Sequence, residues 1–174
     1  MEDLKIHVLL LFLPMVIGNI IHMVIVKKNW FSKLAIPISV HLFGANKTYR
    51  GFIVLPIISG CIAYFNSVLF DFIKMPKSYV FFIGFGLGMA YMLFELPNSY
   101  IKRKLGVVSG ENSKKYSIVQ KLIDKLDSLV GIFIFYYVAM PVTFKMIAVL
   151  FTAALIIHIS LSYLLVVIKV KKTF

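Results

Sequence analysis

From Ile6 to Val26 the chain carries no acidic side chain, lysine or arginine. An uncharged apolar run of about 20 residues is long enough to cross the hydrocarbon core of a bilayer. It is too long for the apolar region of a secretory signal, and no small-x-small cleavage site follows it, so it reads as a retained span. Similar runs recur, and five spans are expected: roughly Leu4–Val26, Gly51–Phe70, Tyr79–Phe94, Leu126–Met140 and Phe144–Ile168. The third and fourth are short, and each is expected to borrow flanking residues or to line a protein-buried cavity. No internal repeat is visible. The expected fold is an all-α integral membrane protein, residues 1–174 forming a single membrane-embedded domain. A hydrophobic share of 60% agrees with this, since soluble domains sit nearer half.

The charges are unevenly spread. Nineteen Lys and Arg stand against seven Asp and Glu, for a net charge of +12. Fifteen of the basic residues fall in segments 27–50 and 95–125 and in the tail, and four (Lys5, Lys74, Lys77 and Lys145) fall on the other side. The positive-inside rule then places the N-terminus outside and both long loops and the C-terminus in the cytoplasm, which requires an odd number of spans. The expected location is the cell (plasma or inner) membrane, with the active face cytoplasmic. Such a basic face meets anionic lipid headgroups and also attracts phosphate-bearing substrates. It calls for no nucleic acid polymer, and a homo-oligomer is compatible with it.

Several smaller features carry expectations. Cys61, the one cysteine, reads as a small core residue. Trp30 and Phe31 read as an interfacial anchor, and Leu34–Val40, with Pro37, as a run that dips back into the membrane. Gly84 and Gly88 have the small-xxx-small spacing of a close helix contact, preferred over room for a lipid chain. The four histidines lie on different elements and are assigned to packing or interface roles.

Three carboxylates, Glu95, Asp124 and Asp127, sit where spans meet the inner loops. Asp124 and Asp127 are i and i+3 and share a helix face. Converging there, the three would suit a hard cation such as Mg²⁺; paired with neighbouring lysines, they would be solvated ion pairs. Both readings stand on spacing alone. In Phe43-Gly44-Ala45-Asn46-Lys47-Thr48-Tyr49-Arg50-Gly51, glycines flank two cations, an amide and a hydroxyl, groups suited to phosphate oxygens. This is not a Walker loop, because Asn46 stands where a glycine must precede Lys47-Thr48. In the third segment, Glu95 to Gly106, Pro97 and Asn98 are expected to break the helix ahead of the basic cluster Lys102-Arg103-Lys104. No serine lies in a nucleophile-elbow pattern, so acyl transfer has no support.

These segments resemble those of the CDP-archaeol synthase family, archaeal-type relatives of phosphatidate cytidylyltransferases. Leu13-Pro14 with Asn19 resembles the family's first helix. Gly44 to Gly51 resembles its G-x-x-K-T-x-R-G loop, Ser99 to Arg103 its S-x-x-K-R element, and Asp124 to Asp127 its D-x-x-D pair. Glu95 stands where the family commonly has Asp, and Lys125 where Gln or Arg is usual. The resemblance implies transfer of a cytidylyl group from CTP to a membrane lipid phosphate, releasing pyrophosphate. It implies Mg²⁺ on Asp124, Asp127 and Glu95, catalytic roles for Lys47, Arg50, Lys102 and Arg103, and nucleotide contacts from Asn46, Lys47, Thr48, Arg50, Ser99 and Lys102. The competing class is a non-catalytic membrane protein: a member of the family that binds without turnover, or a small transporter subunit. A transporter would carry polar residues deep in several spans, whereas here they are few, mainly Asn19, Asn66 and Thr152.

Overall fold

A computed structural model describes residues 2–70, 74–109 and 117–169. Among them the chain is helical, with a single isolated bridge pair and no strand. Helix α1 (Glu2–His7) passes through a π-helical turn at Val8–Phe12 into α2 (Leu13–Lys27). After a short 3₁₀ turn come α3 (Val40–Phe43), α4 (Tyr49–Leu69), α5 (Lys77–Lys104), α6 (Ser117–Ala139) and α7 (Phe144–Val167). Four helical stretches are long and apolar enough to cross a membrane: Leu4–Lys27, Tyr49–Leu69, Lys77–Lys104 and Phe144–Val167. The fourth expected span lies within α6, which begins at Ser117, well before Leu126. Its polar first half, with Gln120, Asp124 and Lys125, keeps the helix as a whole outside that set.

Helix α5 is the centre of the bundle because its glycines admit both neighbours. A Cβ on Gly84 would lie 2.5 Å from the Ser59 carbonyl oxygen, and one on Gly88 2.7 Å from the Cα of Pro56, so the small-xxx-small face packs on α4 as expected. On the other side Gly86 receives the Phe135 ring of α6, and Gly131 of α6 receives Phe94 of α5. Helix α2 lies against α4, while α7 rests mainly on α6 and buries least.

The π-helical turn runs directly into Pro14. In its register Leu13 N–H donates to the Val8 carbonyl, five residues back. The next donor would be Pro14, which has no N–H, so the Leu9 carbonyl loses its partner. Asn66 Nδ2 donates to that carbonyl at 2.7 Å. An apolar environment makes such a replacement necessary.

Two expectations are corrected. Pro97 does not end the third span; α5 runs on through it to Lys104. Pro97 is exposed, and on that face the carbonyl it leaves without a donor can be solvated. The Leu34–Val40 run leaves a 3₁₀ turn at Leu34 and enters α3 at Val40. Pro37 holds it extended, and it pairs with the phosphate-type loop through Ile38 N–H to the Lys47 carbonyl (2.9 Å) and Tyr49 N–H to the Ile36 carbonyl (3.0 Å). Cys61 is exposed, not core. An apolar residue on a spanning helix gains nothing from hiding from lipid, so the burial habits of soluble proteins do not carry over.

Candidate functional site

Because α5 continues past Pro97, Glu95, Asn98, Ser99 and Lys102 fall at i, i+3, i+4 and i+7 and form one stripe. This stripe faces the start of α6. The amide nitrogen of Asn98 donates to Asp124 Oδ1 at 2.6 Å and to Asp127 Oδ2 at 2.8 Å. Lys102 Nζ pairs with Asp124 Oδ2 at 2.5 Å. The other Asp127 oxygen accepts from the Ser128 N–H at 2.6 Å. From the loop ahead of α4, Lys47 forms an ion pair with Glu95. The side chains of these ion pairs are 15–29% exposed, so they are shielded from solvent but reachable.

The loop that carries Lys47 is held by its own backbone. Gly44 has φ +85°, a conformation that suits glycine. A Cβ there would lie 2.8 Å from Ser109 Oγ and 3.1 Å from Arg103 Nη1. The Gly44 loop and the segment after α5 therefore pack together, with Arg103 between them. Ser39 caps α3 by accepting from the Leu42 N–H at 3.2 Å.

The expected site residues thus divide into groups. Lys47, Glu95, Lys102, Asp124 and Asp127 come together at one end of the bundle. Ser99 is buried on the same stripe, Thr48 stands at the N-cap of α4, and Asn46 is exposed at the loop tip. Arg50 is buried and faces elsewhere: its Nη1 donates to Asn29 Oδ1 and to the Trp30 carbonyl, both at 3.1 Å. It ties down an elbow in which Asn29 and Phe31 have positive φ. Arg103 lies beside Gly44, and its Nε is buried without a hydrogen-bond partner.

Two residues at the site were not singled out as functional from the sequence. Asn98 reads as a helix breaker beside Pro97, yet it bridges both aspartates. Its signal was present in the i, i+3, i+7 spacing with Glu95 and Lys102, and taking the proline as a stop hid it. His22 reads as packing, yet it lies within electrostatic reach of Glu95, Arg50 and Lys47. That proximity is set by the packing of α2 on α4, and nothing in the sequence around His22 signals it.

The two aspartates offer the kind of oxygen donors that a hard cation takes. Two carboxylates on adjacent turns of α6 direct an oxygen each at one nitrogen, the Asn98 amide, so they already converge on a single electropositive group. Oxygen ligands converging in this way fit Mg²⁺. Glu95 stands apart, paired with Lys47, and among the described residues no three of His, Cys, Asp and Glu gather as a metal cluster. The fit therefore rests on the two aspartates with Asn98 between them.

Beneath the site lies an apolar crevice between the first helical stretch, α5, α6 and α7, lined by Leu11, Met15, Asn19, Tyr91, Phe133 and His158 among others. Tyr91 connects the two, since its hydroxyl also comes near Glu95 and Ser128.

No curated protein and no solved structure matches the chain. The family profile described as CarS-like, CDP-archaeol synthase, matches residues 1–174. A match over the whole chain, together with the paired aspartates and the lysine-bearing loops brought to one end of the bundle, shows that the chain belongs to the CDP-archaeol synthase family.

Proposed function

We propose that this protein is a CTP-dependent cytidylyltransferase that converts a membrane lipid phosphate to a CDP-activated lipid. The observation that carries the reading is the meeting of Lys47 and Lys102 with Glu95, Asp124 and Asp127 around Asn98. A phosphate oxygen of the lipid attacks the α-phosphorus of CTP. The bond from that phosphorus to the bridging oxygen breaks, and pyrophosphate leaves with the electron pair. Such a transfer needs positioning and charge neutralisation and no covalent nucleophile. Lys47 and Lys102 neutralise phosphate oxygens once they exchange their carboxylate partners for substrate. Asp124 and Asp127, with Asn98 between them, would hold Mg²⁺, which supplies charge stabilisation at the phosphates. The apolar crevice under Tyr91 gives the lipid's hydrocarbon a place beside the reacting phosphate. The reading includes five membrane crossings with the site on the cytoplasmic face, as the basic asymmetry favours.

The test is pyrophosphate release by purified protein given CTP, Mg²⁺ and a panel of ether- and ester-linked lipid phosphates. Wild type is expected to release pyrophosphate with at least one lipid. Asp124→Asn and Asp127→Asn are expected to abolish release while expression and melting in detergent stay close to wild type. If the carboxylates are only structural ion pairs, the outcome reverses: a modest loss of stability and retained turnover. Persistent turnover in Asp124→Asn would take that residue out of the chemistry.

A further inference from the structure

His22 is 9% exposed, and its Nε2 has no hydrogen-bond partner. Buried polar side-chain atoms are nearly always paired, so an orphaned one asks what completes it. The Nε2 edge faces the first turn of α4. A Cβ on Gly51 would lie 3.5 Å from His22 Nε2 and 2.9 Å from Met92 Sδ. The ring edge thus stands in van der Waals range of this turn, and a side chain at Gly51 would displace the Met92 thioether before the ring. Arg50, one residue earlier, also has a buried Nε without a partner. Lys47 and Glu95 lie within electrostatic reach of the ring.

The groups here are of one chemical kind. Arg50 Nε is an unpartnered donor, Lys47 is a cation held by Glu95, and the N-terminal turn of a 21-residue helix favours negative charge. What His22 Nε2 and Arg50 Nε lack is an anionic oxygen, and a phosphate that took Glu95's place on Lys47 would supply it. We propose that His22 is a substrate-contacting residue, which with its proton on Nε2 donates a hydrogen bond to a phosphate oxygen of the nucleotide seated beside Lys47 at the first turn of α4. The inference rests on the cytidylyl-transfer reading for the identity of the anion, though not for its charge.

The experiment uses full-length protein in detergent, with its melting temperature measured alone, with CTP and with inorganic pyrophosphate, alongside the KM for CTP. His22→Leu fills the space without a donor, His22→Gln places an amide N–H near the Nε2 position, and His22→Asn carries an amide too short to reach it. Without ligand, His22→Leu is expected to melt at or above wild type, because it loses no hydrogen bond. Its ligand-induced rise should fall by more than half with both probes, and its KM for CTP should rise about tenfold, the scale of one charge-assisted hydrogen bond. His22→Gln should regain most of the rise and His22→Asn should not. A His22→Leu protein with the wild-type rise and KM overturns the contact. If His22→Leu does not fold, the Gln and Asn variants decide, and equal rises in the two overturn it. Should wild type shift with both probes yet release no pyrophosphate with any lipid, the enzymatic reading fails and the anion contact stands. Should wild type shift with neither, the contact is overturned.

Discussion

Asn98 is the residue on which the two halves of the site depend. One amide nitrogen holds carboxylates from two turns of α6 and fixes their separation. Replacing it with alanine removes two hydrogen bonds to charged acceptors and leaves two neighbouring carboxylates to repel each other. Each such bond contributes about 1.5–3 kcal/mol. Asn98→Ala is therefore expected to lower kcat/KM by roughly 10- to 100-fold, with a steeper Mg²⁺ dependence, since the cation must then bring the aspartates together. Steady-state kinetics across a Mg²⁺ titration measure this, and an unchanged profile would reduce Asn98 to a surface bridge. The case also marks a limit on reading the sequence at this scale. The chemical identities of Lys47, Glu95, Lys102, Asp124 and Asp127 were legible because charge at a span edge stands out against apolar neighbours. Their partners were not. Arg50 and Lys47 sit three residues apart in one motif, yet Lys47 reaches Glu95 while Arg50 turns to Asn29 and Trp30. Only the fold of the α2–α4 connection decides that division.

At the scale of elements, helices were legible wherever long apolar runs announced them, and their ends were less so. Pro97 lies in an exposed position of α5 without stopping it, and Pro14 stands at the head of α2 directly after a π-helical turn. A proline signals a lost hydrogen bond, and tertiary contacts decide how the loss is met. For Pro14 the answer is Asn66, at the far end of the bundle from the site. Asn66→Leu leaves the Leu9 carbonyl buried and unpaired, which costs about 1–3 kcal/mol. The expected result is a lower melting temperature in detergent with unchanged turnover per folded molecule. Pro14→Ala would restore a backbone N–H in register with Leu9. The double variant Pro14→Ala/Asn66→Leu should then lose less stability than the two single changes added together. Additive losses would mean that Asn66 stabilises α4 in some way other than by serving Leu9.

At the scale of the whole molecule, the open question is how α6 relates to the bilayer. Its apolar half is short, about 14 residues or roughly 21 Å at 1.5 Å per residue, against a hydrocarbon core of about 30 Å. The ends of the helix show how far it reaches. Asp124 and Asp127, near its start, join the site with the C-terminal part of α5. Tyr136 and Ala139, at its end, meet the start of the chain and the start of α5: His7 Nδ1 lies 2.7 Å from the Tyr136 hydroxyl, and the Tyr79 hydroxyl donates to the Ala139 carbonyl at 2.8 Å. Helix α6 therefore runs from the site end of the bundle to the opposite end, and on this path we predict a fifth crossing. The prediction is read by single-cysteine labelling in a Cys61→Ala background, which removes the exposed native thiol. Val108→Cys, in the loop after α5, should react with an impermeant reagent only from the cytoplasmic side. Lys74→Cys, before α5, and Pro141→Cys, in the turn between α6 and α7, should react only from outside. Pro141→Cys separates the alternatives, because an α6 that stayed on the cytoplasmic surface would carry that turn inside with Val108. Labelling at positions 108 and 141 from the same side would leave four crossings, place both chain ends on one side, and remove the charge asymmetry as a guide to orientation.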